Sequence, residues 1–269
     1  MKINDLIACP TCKGHLEEVS RNGSGKAFHC GPCTQDYAIE AGVPVLLPAY
    51  LKNEPIPSNG HLSETAVKHY YIETERYDWV VDTRYPEKLF HILRERAIVE
   101  NLKKYARGKI GLDLGCGTGL ITRHIALQYR VGVDINRWAL AKANEHVGDG
   151  VRYVNGDAEN LPLASGVFDV VVCTDVLEHL LEPEKAVSNI FRVLRPGGVL
   201  VGTVPSKSPV WNYRKLITTT CPVCEPFHNN FSKNGVKKLL QPFDTIRIAK
   251  GALGLEWLFA VRKTTPGQR

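Results

Sequence analysis

An apolar strand that runs into a glycine-rich turn is the feature that most constrains the fold of this chain. Residues 111–120 read GLDLGCGTGL, with glycines at the alternate positions 115, 117 and 119. Glycine has no Cβ, so such a turn lets the backbone pass close to a ligand. Open α/β sheets bind nucleotides at this place, where a parallel strand ends and a helix begins. The pattern therefore predicts an α/β sheet with a nucleotide site.

Two acidic residues follow at the ends of the next two apolar strands. Asp134 lies 19 residues after Gly115 and closes the strand 130–135. A carboxylate there accepts hydrogen bonds from a ribose diol. Asp157 follows the strand 151–155, and we predict that it accepts from an adenine amino group while the Ala158 amide donates to the ring. The alternative for Asp157 is a turn or capping residue, since aspartate is common at such positions.

The glycine spacing distinguishes between two nucleotide cofactors. NAD-binding folds favour Gly-x-Gly-x-x-Gly, whereas this chain has Gly115-x-Gly117-x-Gly119. With Asp134 and Asp157, this spacing favours S-adenosylmethionine. The complete predicted cofactor-binding set is Asp113, Gly115, Cys116, Gly117, Thr118, Gly119, Asp134, Ile135, Asp157, Ala158, Asp175 and Val176.

Further motifs support this interpretation over residues 107–263. They are DLGCGTG, GDAENLP, FDVVV, VLEH and LRPGG. This stretch resembles the class I S-adenosylmethionine-dependent methyltransferases, and most closely the branch of the ubiquinone- and menaquinone-pathway enzymes. The resemblance implies an α/β, Rossmann-like, seven-stranded sheet whose last strand is antiparallel. We predict strands at 109–114, 130–135, 151–155, 167–173, 199–204, 245–249 and 255–262, and a helix at 120–129.

Four cysteines near the amino terminus predict a separate small domain. They are Cys9, Cys12, Cys30 and Cys33, two Cys-x-x-Cys pairs at the spacing of a four-cysteine zinc ribbon. A segment this short buries too little apolar surface to fold alone, and bound zinc supplies the missing stability. Four thiolates leave no open position on the metal, so the Zn²⁺ is expected to be structural.

Residues 5–48 also resemble the small zinc-ribbon proteins that activate certain tRNA and protein methyltransferases as a partner subunit. The matching motifs are CPTCKGHL and YAIEAGVPVLLP. In many of those proteins the metal site is degenerate, whereas all four cysteines are present here. The expected domains are a zinc ribbon at 1–50, a linker at 51–64, a helical lid at 65–106 and the methyltransferase domain at 107–269.

The segment before the glycine turn combines aromatic residues with an amphipathic helix. Tyr70, Tyr71, Tyr77 and Trp79 precede a helix that we expect to begin near Pro86 and to stop near Gly108. One interpretation is a helix that only packs on the sheet. The other is that residues 70–85 form a lid over the methyl donor, which would exclude water.

His179 is the predicted general base. It follows the fourth strand of the sheet, and an imidazole titrates near neutral pH. The alternative is a histidine at a helix start that bonds to the backbone. Asp175 is expected to contact the methionine end of the donor.

Cys221, Cys224 and His228 form a second group between the fifth strand and the next helix. Either they bind a second metal, or they lie in a loop with two free thiols. Two cysteines and one histidine make the loop the preferred interpretation.

Charge and composition leave the acceptor open. The net charge is +6. The excess lies in residues 204–269, which hold eleven Lys or Arg and three Asp or Glu. The favoured function is methyl transfer to an O, N or C atom of a small molecule. The alternative is RNA methylation with the ribbon and the basic region as RNA-binding surfaces, although no Asn-Pro-Pro-Tyr-like motif follows the fourth strand. A non-catalytic activator is disfavoured because the donor motifs are intact.

With no signal peptide and no apolar run of membrane-spanning length, we expect a cytoplasmic protein without membrane insertion.

Overall fold

The computed structural model describes residues 1–21, 25–53, 64–73, 85, 87–208 and 229–264. These residues form two sheets. The first is a four-stranded antiparallel sheet near the amino terminus, and the second is a seven-stranded mixed sheet. The α/β, Rossmann-like fold with a small amino-terminal domain, predicted from the sequence, is confirmed.

The amino-terminal sheet has the strand order β1-β2-β3-β4. Its strands are β1 (Glu17–Arg21), β2 (Gly25–Cys30), β3 (Gln35–Glu40) and β4 (Val43–Pro44). Between β3 and β4, Ala41 and Gly42 both have positive φ, as a tight hairpin turn requires. Cys9 and Cys12 lie before β1, Cys30 ends β2 and Cys33 lies in the turn before β3, so all four are at one end of this small sheet.

The large sheet has the order β10-β11-β9-β8-β5-β6-β7. Its strands are β5 (Ile110–Leu114), β6 (Tyr129–Asp134), β7 (Val151–Asn155), β8 (Phe168–Thr174), β9 (Leu194–Pro205), β10 (Asp244–Gly251) and β11 (Glu256–Arg262). Strands β5 to β9 are parallel, whereas β11 is antiparallel to β9 and to β10. All seven predicted strands are present because continuous apolar runs such as Phe168–Thr174 suit strands buried on both faces.

Six α-helices occur among the described residues. They are α1 (Tyr50–Asn53), α2 (Glu64–Glu73), α3 (Glu87–Tyr105), α4 (Arg137–Glu145), α5 (Pro183–Val193) and α6 (Lys233–Leu239). Helix α3 agrees with the expected limits, and Ser232 caps α6 by accepting a hydrogen bond from the amide of Gly235. None of the helices in these ranges is long and apolar enough to cross a membrane.

Two expectations differ from the structure. The predicted helix at 120–129 is wrong, because only a short 3₁₀ turn forms at Thr122–His124. The Thr122 hydroxyl donates to Asp113 in β5, and the backbone turns to an extended conformation at Ile125, so the helical turn does not continue. The expected linker 51–64 contains part of α1 and the first residue of α2, while its residues 54–63 lie outside the described ranges, as do Tyr77, Trp79, Cys221, Cys224 and His228.

The small domain packs directly on the large sheet. Val45, just after β4, forms a parallel bridge with Asn155 at the end of β7, and Ile7 forms an antiparallel bridge with Leu163. Leu6, Phe28 and Leu46 belong to the same apolar cluster as buried residues of the large sheet. The two domains therefore share one hydrophobic core.

Candidate cofactor and acceptor site

The glycine turn after β5 has the backbone geometry that a bound nucleoside would need. Gly115 and Gly117 have φ values of 72° and 51°, which side chains with a Cβ adopt at a cost. A Cβ on Gly115 would collide with the side chain of Val176, whereas a Cβ on Gly117 would meet no described atom within 4 Å. The turn is thus packed on one side and open at Gly117.

Asp134 lies at the end of β6, next to this turn. Its Oδ2 accepts a hydrogen bond of 2.8 Å from the Gly117 amide, and its Oδ1 accepts one of 2.8 Å from the Asn136 amide. These bonds fix the carboxylate plane beside the open face of the turn. A carboxylate has about four acceptor positions, and these two bonds account for about half of them.

Asp113 lies in β5 and is buried. Its Oδ2 accepts a hydrogen bond of 2.6 Å from the Thr122 hydroxyl. Burial raises the pKa of Asp113 to about 7, and the nearby charge of Asp134 adds to this increase. Asp113 therefore holds the segment after the glycine turn to the sheet, a contact that the sequence did not predict.

Asp157 follows β7 and is 1% exposed. Its Oδ1 accepts from the Glu159 amide, and its Oδ2 accepts from the Asn160 side chain at 2.8 Å and from Lys68 Nζ at 2.9 Å. The capping arrangement considered above is therefore present in the structure. The adenine contact of Asp157 stays a prediction.

Asp175 directly follows β8 and has a φ of 53°. Its Oδ1 accepts a hydrogen bond of 2.9 Å from the Thr203 hydroxyl, and its Oδ2 forms an ion pair with Arg94 of α3. A positive φ at a non-glycine residue is uncommon and persists only where surrounding contacts hold it. Arg94 and Thr203 supply those contacts.

His179 lies in a 3₁₀ turn, Leu177–His179, at the carboxyl edge of the sheet. Its Nδ1 is 3.2 Å from the hydroxyl of Tyr71 in α2. The Tyr71 carbonyl in turn accepts from the Asn136 side chain at 2.7 Å. Helix α2 thus connects Asn136, which lies near Asp134, to the predicted base, and the ring of His179 bonds to a side chain.

The remaining predicted residues cluster around the same crevice. Cys116 and Thr118 belong to the glycine turn, and Gly119 is its last glycine. Ile135 directly follows Asp134, and Ala158 directly follows Asp157. Val176 packs against Gly115. The structure therefore brings the whole predicted set to one edge of the sheet.

Two contacting residues, Lys68 and Arg94, were missed by sequence reasoning, and Tyr71 was named only as part of the proposed lid. Lys68 and Tyr71 lie in α2, and Arg94 lies in α3. Each meets a partner far along the chain, and nothing in the local pattern distinguishes Lys68 or Arg94 from an ordinary helical surface cation. The only local signal was the tyrosine pair at 70 and 71.

The four amino-terminal cysteines are arranged to bind a metal. Their sulfur atoms all lie within 4.8 Å of one another. The Cys9 sulfur is also 3.3 Å from the Tyr37 hydroxyl. Four thiols at this separation fit a tetrahedral zinc centre, so the donor set agrees with the predicted ribbon.

Comparison with known proteins defines the class. Residues 112–202 match the family model described as a methyltransferase domain. The chain is 34% identical over 110 residues to a ubiquinone biosynthesis O-methyltransferase of Psychrobacter cryohalolentis, covering 38% of this chain and 43% of the relative. It is 30% identical over 163 residues to a trans-aconitate 2-methyltransferase of Deinococcus radiodurans, covering 58% and 61%.

A solved structure extends this likeness to the fold. The N-methyltransferase NodS from Bradyrhizobium japonicum, crystallised with S-adenosylhomocysteine, superposes with a TM-score of 0.57 at 17% identity, covering 74% of this chain and 97% of that one. The match to the two enzymes above spans less than two thirds of their length. Residues 112–202 therefore match a methyltransferase domain, in agreement with the predicted enzyme class, and the superposition shows that the fold is the predicted one.

Proposed function

We propose that this protein transfers a methyl group from S-adenosylmethionine to a small-molecule acceptor. One arrangement carries the proposal: the open glycine turn, Asp134 and His179 meet at the carboxyl edge of one sheet. Relatives that act on ubiquinone precursors and on trans-aconitate, by their names, support a small molecule as the acceptor.

The proposed cofactor contacts follow from the described geometry. Asp134 binds the ribose hydroxyls, with its carboxylate oriented by the amides of Gly117 and Asn136. Gly117 lets the backbone meet the methionine part of the donor, and Asp175 lies at that end. The donor supplies a methyl group already activated by a positively charged sulfur.

The protein's share of the chemistry is alignment, exclusion of water and proton removal. Alignment alone supplies roughly 7–11 kcal/mol of a barrier. Helix α2 contacts this edge of the sheet through Lys68 and Tyr71, which supports a lid that begins at residue 70, although residues 74–84 of that lid lie outside the described ranges. In the tautomer whose Nδ1–H donates to the Tyr71 hydroxyl, His179 accepts the acceptor's proton at Nε2.

Replacement of the base tests this role. His179→Ala should lower kcat by roughly 10²–10⁴-fold while S-adenosylhomocysteine binds as before. Tyr71→Phe keeps the ring contact and removes the hydroxyl, so we expect a smaller loss. The measurement is single-turnover methyl transfer together with a calorimetric titration, and unchanged turnover of His179→Ala would reject the base role.

RNA methylation is the second candidate function. Helix α6 presents Lys233, Lys237 and Lys238 to solvent, and a basic surface of this kind attracts phosphates. Surface lysines are also common on proteins that bind no RNA, so the small molecule stays the favoured acceptor.

The deciding experiment uses a methyl-labelled donor. The purified chain and labelled S-adenosylmethionine are added to a cell extract, which is then separated into RNA, protein and small-molecule fractions. We expect the label in the small-molecule fraction. Label in RNA, together with RNA binding that weakens steeply with salt, would favour the second function.

We further propose that the four cysteines bind a structural Zn²⁺ and that the ribbon supports the cofactor site in the same chain. The Leu46 amide donates to the Asn155 carbonyl at 2.8 Å. The Asn155 side chain donates to the carbonyls of Asp134 and Ile135 at 3.0 and 2.9 Å. The likeness of residues 5–48 to activator proteins agrees with this supporting role.

A further inference from the structure

A buried carboxyl group at the carboxyl edge of the sheet has no role in the cofactor site. Glu256 is the first residue of β11 and lies opposite Pro205, the last residue of β9. It is 1% exposed, and neither carboxylate oxygen has a hydrogen-bond partner in the described part of the chain. Burial raises the pKa of Glu256 to about 7, although Arg94 acts to lower it.

The neighbouring strand leaves room for this carboxyl group. Gly251 of β10 pairs with Glu256, and a Cβ on Gly251 would lie 2.9 Å from Glu256 Oε1. Arg94 is the nearby cation, but its guanidinium already forms the ion pair with Asp175. Glu256 therefore lies beside the donor-side residues without a partner of its own.

A run of backbone hydrogen bonds connects Glu256 to the turn that carries His179. The Ser206 amide donates to the carbonyl of Leu255, the residue before Glu256, and the Phe231 amide donates to the Pro205 carbonyl. The Asn229 amide donates to the Glu178 carbonyl, next to His179. These bonds connect the start of β11 to the turn Leu177–His179 at the carboxyl edge of the sheet.

A buried carboxylate without a donor is destabilising, and a ligand that supplies a donor offsets that cost. An ammonium group offers both a donor and the opposite charge, so it compensates better than a hydroxyl. We propose that Glu256 recognises the acceptor, by accepting a hydrogen bond from a basic amine of that molecule. This inference rests on the proposed small-molecule function and names the class of its substrate.

The amine in this proposal is a recognition group and need not be the methylated atom. Its ammonium form stays protonated against Glu256, while the proton released on methyl transfer goes to His179. The proposal predicts selectivity for amines over alcohols of the same shape.

The test is a calorimetric titration of the full chain loaded with S-adenosylhomocysteine. The probes are primary amines from propylamine to phenethylamine, each compared with the alcohol of the same skeleton. We expect amines to bind the wild-type protein roughly tenfold or more tightly than the alcohols. Glu256→Gln should remove most of that preference. Asp244→Asn should retain it, because it changes an exposed carboxylate at the opposite end of the β10–β11 pair.

A titration with S-adenosylhomocysteine separates the amine-recognition inference from the proposed methyltransferase function. If S-adenosylhomocysteine binds but no amine binds, or if Glu256→Gln keeps the preference for amines, the inference is overturned and the proposed function stands. If S-adenosylhomocysteine itself does not bind, the proposed function fails as well.

Thermal unfolding provides a second measurement that does not depend on a ligand. The pKa of Glu256 is about 7 in the fold against an ordinary value of 4.5, so the unfolded chain loses its proton first as the pH rises. Between pH 4.5 and 7 the wild-type protein therefore loses stability. Glu256→Gln should melt above the wild type at pH 8, with the difference vanishing near pH 4.5. A lower melting temperature for this variant at pH 8 would show that the carboxylate has stabilising partners within the protein, against the proposal.

Discussion

Asp134 holds its position through backbone amides on both sides. The Gly117 amide belongs to the glycine turn and the Asn136 amide begins the next helical segment. A carboxylate oriented in this way needs no reorganisation when a diol arrives, so little binding energy is lost to ordering.

The first prediction concerns this carboxylate. Asp134→Ala should weaken S-adenosylhomocysteine binding by about tenfold or more, because it removes a charged hydrogen-bond acceptor. The measurement is a calorimetric titration, with the exposed Asp149→Ala as the control variant. Equal affinities for Asp134→Ala and wild type would rule out the ribose contact.

Lys68 connects α2 to the loop after β7. Its Nζ lies 2.9 Å from Asp157 Oδ2 and 2.6 Å from Glu159 Oε2, and all three side chains are nearly inaccessible to solvent. Removing the cation from such a group leaves buried carboxylates without their counter-charge, which typically costs roughly 3–5 kcal/mol.

Lys68→Met should therefore lower the melting temperature by roughly 6–20 °C, given about 2–4 °C per kcal/mol for a protein of this size. Lys142→Met is the matched control, because Lys142 forms only an exposed pair with Glu145. A melting temperature equal to that of the control would mean that the ion pairs add nothing to stability.

At the level of single residues, the sequence indicated which residues lie at the carboxyl edge of the sheet, but not all of the residues that they contact. Gly115, Asp134 and Asp157 were identified because motif spacing places strand ends at one edge of a sheet. The Lys68 partner of Asp157 lies 89 positions earlier in the chain, and no local periodicity encodes a contact of that separation. The cap role of Asp157 was foreseen as an alternative and is present.

The loop after β7 is bonded to two other parts of the protein. On one side the Ala8 amide donates to the Pro162 carbonyl and the Ala164 amide donates to the Leu6 carbonyl. On the other side Arg192 of α5 donates to the carbonyls of Leu161 and Leu163. The loop that carries Asp157 is thus held between the amino-terminal domain and α5.

This arrangement predicts that zinc removal weakens cofactor binding. Chelation should release one zinc ion per chain, loosen the cysteine end of the small sheet and lower the affinity for S-adenosylhomocysteine, with recovery when zinc is returned. Metal analysis and calorimetry measure the two effects.

Cys12→Ser should lower the zinc content in the same way. Undiminished cofactor binding by the zinc-free chain would contradict the supporting role of the ribbon. Two zinc ions per chain would instead indicate that Cys221, Cys224 and His228 bind a second metal.

Strands were easier to predict than helices. A continuous apolar run such as Phe168–Thr174 leaves little choice in a chain with buried parallel strands. Residues 120–129 have apolar residues at helical spacing, but the Thr122 bond to Asp113 depends on β5, which local sequence does not contain. Short helices therefore depend on tertiary contacts that pattern analysis does not include.

On the scale of the whole molecule, the two domains behave as one body. Leu6, Leu16, Phe28 and Leu46 are buried in the same cluster as Val133, Val154 and Leu161. A shared core of this kind couples the stability of its parts, since exposing either face removes apolar contacts from the other.

We therefore expect a single cooperative unfolding transition for the zinc-loaded chain. Scanning calorimetry should give equal calorimetric and van't Hoff enthalpies. Removal of residues 1–48 should lower the melting temperature of the remaining chain. Two separate transitions in the intact protein would contradict the coupling.

The pairing of Ile7 with Leu163 also bears on how the protein is made. A ribosome releases the amino-terminal end first, yet that end finds its packing surface only after more than 150 further residues have been added. During this interval the folded state of the nascent ribbon would be stabilised by its bound metal alone. Cells short of zinc should consequently accumulate newly synthesised chains that aggregate or are degraded before their catalytic half is complete.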